Sequence, residues 1–104
     1  IAISFNNIGN IHEILGDNEK ALDYYKNVYK IQKTVFKNNN KTDIAITLSN
    51  IGNIYKKNGD YKLALEYYEE ALNIERNVYD NNEIHPQILK SFIDIAETYE
   101  IMSE

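Results

Sequence analysis

The chain has 104 residues, 43% of them apolar and 26% charged, which suits one small domain or a short repeat array and excludes a disordered or fibrous polypeptide. A net charge of −5 speaks against nucleic acid as a partner, since that requires clustered Lys and Arg. With no cysteine there are no disulfides or thiolate metal sites, and no run reaches the roughly 18 apolar residues of a membrane span.

The first predicted helix covers 1–15, with Ile1, Phe5, Ile8 and Ile11/His12 at three-four spacing along one buried face. Asn6, Asn7, Asn10, His12 and Glu13 within it rule out a secretory signal core, and an opening Ile in place of Met is expected of a segment cut from a longer protein. Gly16 suits a left-handed helix end, and Asp17 a cap or turn into the next helix. The second helix, 19–36, buries Ala21, Leu22, Tyr25, Val28/Tyr29 and Ile31/Gln32. A polar link follows, Lys37–Thr42. The third helix, 43–57, carries Ile44, Leu48, Ile51 and Tyr55, and Gly59-Asp60 repeats the earlier turn. The fourth, 61–79, buries Ala64, Leu65, Tyr68, Ala71/Leu72 and Ile74. After Asp80–His85, Pro86 opens a fifth helix over 86–102, where its missing N–H is harmless.

These elements repeat. Ile1-Ala2-Ile3 returns as Ile44-Ala45-Ile46, Asn7-Ile8-Gly9-Asn10-Ile11 as Asn50-Ile51-Gly52-Asn53-Ile54, and Tyr24-Tyr25 as Tyr67-Tyr68, always 43 positions later. Ile88, Phe92, Ile95 and Tyr99 begin a third copy, 44 positions after Ile44, Leu48, Ile51 and Tyr55, with Ala96 in place of Gly52. The organisation is repeat one at 1–42, repeat two at 43–85, and the first helix of a third at 86–104, an all-α array of five antiparallel helices. Gly9 and Gly52 lie mid-helix, where Gly costs about 1 kcal/mol relative to Ala. Close approach of the paired helix accounts for both, with Ala21 and Ala64 as small partners and Tyr25 and Tyr68 beside the contact.

Leu48, Ile51-Gly52, Tyr55, Gly59-Asp60-Tyr61, Ala64, Tyr68 and Ala71 resemble the tetratricopeptide repeat, as do Phe5, Ile8-Gly9, His12, Gly16-Asp17, Ala21, Tyr25 and Val28 with His and Val as departures. The long unit and His85-Pro86 are similar to the extended variant of kinesin light chains, and Asn-Ile-Gly-Asn to a mitotic-spindle adaptor family that binds acidic peptides. The resemblance implies a right-handed superhelical solenoid whose first helices line a groove, a non-catalytic scaffold for a protein or peptide partner, and a cytoplasmic location.

The expected groove positions are Ile3, Asn6, Asn7, Asn10 and Glu13, then Ile46, Ser49, Asn50, Asn53 and Lys56/Lys57, then Lys90, Ile93, Asp94, Glu97 and Ile101. Asn7 and Asn10, like Asn50 and Asn53, stand at i, i+3, and a ladder of amides can donate to and accept from an extended backbone. The partner-binding set is therefore Asn6, Asn7, Asn10, Asn50, Asn53, Lys57 and Lys90. A carboxylate clamp of the kind found in cochaperones matches Asn10, Asn50 and Lys90, but Asn6 and Asp94 stand where it needs cations, and the acid would repel a carboxylate. Charge runs from six Lys against four acids in 1–42 to four basic residues against eight acids in 43–86 and Lys90 against four acids thereafter, read as solvated helix faces. Phe92, Ile95 and Tyr99 lack a sixth helix to pack on, so self-association through them is the alternative role. His12 and His85 have no ligand-spaced neighbours and the glycines form no phosphate loop, so no catalytic residue, metal or cofactor is expected.

Overall fold

The computed structural model describes residues 2–35, 41–80 and 84–104, with side chains from Ile8 onward except Val35. It consists of α1 (Ala2–Ile14), α2 (Asn18–Val35), α3 (Lys41–Lys57), α4 (Tyr61–Val78) and α5 (Pro86–Met102), with no strand among the described residues. Consecutive helices pack as antiparallel neighbours, and α3 also touches α1, in a slab of 40 × 33 × 18 Å. α3 starts two residues before the predicted boundary. Lys41 and Thr42 join its first turn beside Asp43, whose negative charge suits a helix N-terminus.

The glycine turns close both hairpins in the same way. Gly16 and Gly59 have φ of +83° and +84°, a region open to Gly without a Cβ penalty. Asp17 N–H bonds to His12 C=O at 2.8 Å and Gly16 N–H to Glu13 C=O at 3.0 Å; Asp60 to Tyr55 and Gly59 to Lys56 repeat the pair at 2.8 and 3.1 Å. This is the Schellman arrangement, which satisfies carbonyls left over at a helix end. The two aspartates then differ. Asp17 Oδ1 accepts from Lys20 N–H at 3.2 Å and caps α2, whereas Asp60 makes no side-chain cap bond to α4. At α5, His85 caps by accepting from Gln87 N–H at 3.2 Å and stacks on Tyr79.

The mid-helix glycines are close-contact positions. A Cβ on Gly9 would stand 2.5 Å from Tyr25 Cε1, and one on Gly52 would stand 2.9 Å from Tyr68 Cε1 and 3.2 Å from Ala64 O. Both tyrosines are fully buried. His12 holds its aromatic position: it stacks on Tyr24 at 5.2 Å as Tyr55 stacks on Tyr67 at 5.5 Å. Ile11 and its counterpart Ile54 diverge, because Ile54 is buried against Ala21 and Tyr25 of the preceding hairpin, while no helix precedes α1 among the described residues and Ile11 is exposed.

Of the two alternatives at the end of the α2 stripe, Gln32 is the buried one and Ile31 is 43% exposed. In α4 the expected Ile74 is corrected to Glu75: Glu75 is the deeper residue, and half-buried Ile74 lies to one side. Steps of four, three and four from Ala21 through Tyr25 and Val28 end on Gln32, and the same steps from Ala64 through Tyr68 and Ala71 end on Glu75. Helical geometry, not side-chain apolarity, selects the buried position.

Candidate functional site

α1, α3 and α5 share one face, tied by charged pairs between successive first helices. Lys57 pairs with Glu13 across α3 and α1, and Lys56 Nζ lies 3.2 Å from Glu97 Oε1 across α3 and α5. These are surface pairs, each worth up to about 1 kcal/mol.

The asparagines on this face divide into two kinds. Tyr25 Oη donates to Asn10 Oδ1, and Tyr68 Oη donates to Asn53 Oδ1 at 2.5 Å. Burial, then the nearby Glu13, pushes the Tyr25 phenol far above its ordinary value. Burial does the same to Tyr68, with Asp94, Glu97 and Glu13 adding to it. Both phenols therefore stay protonated and serve as donors. Asn10 and Asn53 thus have their carbonyl oxygens engaged inside their own hairpins, and a fully free amide ladder is not what the fold presents.

Asn50 is different. Half-exposed and with no hydrogen bond among the described residues, it lines a pocket of about 240 Å³ between α3 and α5 together with Ser49, Glu75, Gln87, Lys90 and Ser91. Lys90 Nζ lies 3.3 Å from Asp94 Oδ2, one turn along α5. Glu75 is only 3% exposed; Ser91 Oγ donates to its Oε1 at 2.5 Å. Burial raises its carboxyl above the usual range, and the Ser91 hydrogen bond and Lys90 partly offset that. A second pocket of about 290 Å³ gathers Glu13, Asn53, Lys56, Lys57 and Ile101.

The structure thus brings Asn50 to Lys90 and Asn53 to Lys57, while Asn10 stands apart beside Tyr25. The side chains of Asn6, Asn7 and Ile3 lie outside the described residues. Of the α5 residues assigned to self-association, Phe92 is half-buried with the Arg76 guanidinium 5.1 Å from its ring centre, Ile95 is half-buried, and Tyr99 is 52% exposed. Glu75 and Ser91 were absent from the expected groove. The signal that finds Glu75 is its place 43 residues after Gln32 on the buried four-three-four steps.

The sequence pattern of the tetratricopeptide repeat matches residues 1–77 and again 43–104, between them the whole chain. The chain belongs to the tetratricopeptide repeat family. Repeats of this family generally mediate protein–protein interaction. A solved structure from Podosopora anserina, a kinesin light chain protein described by its nearly identical TPR-like repeats, superposes with a TM-score of 0.79 at 19% identity, covering 96% of this chain and 46% of that one. The chain thus spans about half the length of that relative, and the likeness is one of fold. No curated protein matches the sequence. Among the described residues no helix is long and apolar enough to cross a membrane.

Proposed function

We propose that this chain is a non-catalytic, cytoplasmic interaction module that holds a peptide or partner segment along the α1–α3–α5 face without a cofactor. The observation that carries the reading is the half-exposed Asn50 amide, without a hydrogen bond among the described residues and seated in a pocket between two first helices. An amide there can bond a peptide backbone of any sequence. Asn53 and Asn10 contribute chiefly their N–H donors, since each oxygen already accepts one hydrogen bond, from Tyr68 and Tyr25. In a titration against peptides selected on this chain from a display library, Asn50→Leu is expected to weaken binding about tenfold, the effect of losing one or two hydrogen bonds. Unchanged affinity with an unchanged circular dichroism spectrum would remove the groove assignment.

A second reading, assembly through α5, is favoured by the exposed Leu89, Ile93 and Tyr99 beside half-buried Phe92 and Ile95. Sedimentation velocity is expected to show concentration-dependent self-association that Ile93→Lys/Tyr99→Lys abolishes. A single 12.1 kDa species at every concentration would sink it.

A further inference from the structure

Glu75 has a carboxylate at a register that elsewhere in the fold holds an uncharged side chain of its length. At the equivalent position 43 residues earlier, Gln32 is fully buried, so no charge is needed to fill the space between hairpins. A buried carboxylate without a counter-charge carries a desolvation penalty of several kcal/mol that an amide avoids. Ser91 meets Oε1, and no described residue donates to Oε2. Glu75 nonetheless lines the pocket that Asn50 and Ser49 share, and a second, smaller hollow reaches it from the side of Tyr79. The only lysine lining either hollow is Lys90, which is largely exposed and held by Asp94. Among the described residues Glu75 thus has no ion-pair partner, and Ser91 and Lys90 offset its burial only in part.

We propose that this pocket is an anchor for one basic side chain of the partner: the arginine or lysine head group enters between α3 and α5 and pairs with Glu75, with Asn50 and Ser49 oxygens as further acceptors. Three features support it. The pocket, about 240 Å³, has room for one long side chain and not for a second helix. Glu75 is the one carboxylate in its lining, with Asn50 and Ser49 oxygens nearby and its one cation, Lys90, already held by Asp94; this suits the forked donors of a guanidinium better than a point ammonium, so arginine is preferred. The surroundings agree in sign: from Asp43 onward the chain carries 12 acids against five basic residues. Burial raises the Glu75 carboxyl, and an incoming cation draws it back toward its ionised form.

The anchor rests on the reading of this face as a peptide groove, and its test keeps the two apart. Random peptides are selected by display on the 104-residue chain, and those recovered are titrated against it and against Glu75→Gln and Asn50→Leu. Glu75→Gln keeps an oxygen for Ser91 and copies the residue that the first junction already holds, so its unfolding midpoint should match or exceed that of the parent. The expected result is a recurrent Arg or Lys at one peptide position. Its replacement by citrulline or norleucine should weaken binding to the parent about tenfold, and to Glu75→Gln less than twofold. Selected peptides without a basic position, or an equal loss on both proteins, overturn the anchor. If those peptides still lose affinity on Asn50→Leu, the groove stands and only the anchor falls; if they do not, or if no peptide is recovered, both fall. Should Glu75→Gln fail to fold, Glu75→Met serves as the uncharged variant in the same comparison.

Discussion

Tyr68→Ala is expected to lower the unfolding free energy by about 3–5 kcal/mol, the range for truncating a fully buried aromatic side chain. A domain of this size has about 5–15 kcal/mol in all, so the variant should be largely unfolded well below the parent's midpoint. The ring fills the hollow that Gly52 leaves in α3: its Cε1 and Cδ1 lie 2.9 and 3.0 Å from where a Gly52 Cβ would be. Tyr68→Phe separates ring from hydroxyl. It keeps the packing and removes the donor to Asn53 Oδ1, a half-exposed acceptor that water can reach, so its cost is about 1 kcal/mol. Urea unfolding followed by circular dichroism reads both. If the two variants lose equal stability, the hydroxyl and not the ring-on-glycine contact holds the hairpin.

That pair also shows what was legible in the sequence and what was not. The helices, the glycine turns and the close contact at Gly9 and Gly52 are written in local terms: three-four spacing, a residue tolerant of positive φ, and a helix-breaking cost taken twice at one register. The buried end of α2 and α4 was less legible, because apolarity and geometry disagree there. Ile31 and Ile74 are the apolar residues, but the steps from Ala21 and Ala64 lead to Gln32 and Glu75, and packing follows the steps. The asparagines fail for a different reason. Asn50 and Asn53 look alike along one helix; what separates them is a tyrosine hydroxyl 15 residues on that reaches Asn53, a tertiary contact with no local signature. The same applies to Asp17 and Asp60, which share a motif and differ in capping.

Gln32→Met is expected to stabilise the chain by about 1–3 kcal/mol, the penalty of leaving buried polar groups without partners. Both Oε1 and Nε2 of Gln32 are buried with no hydrogen-bond partner among the described residues, at a position of zero exposure. Methionine has a similar length and an unbranched, adaptable chain, so the site can be filled with little strain. A rise in the urea midpoint at constant m-value reads the gain. Peptide affinity should not move, because the pocket that contains Asn50 lies at the other junction. Glu75 stands at the equivalent position, so the pair of variants divides two effects that one register combines. Removing the amide at 32 should alter stability alone; removing the charge at 75 should alter binding while Ser91 keeps an acceptor. A Gln32→Met chain less stable than the parent by more than about 1 kcal/mol would mean that the amide has a partner in solution, and that the first junction is itself a polar site, as the second is.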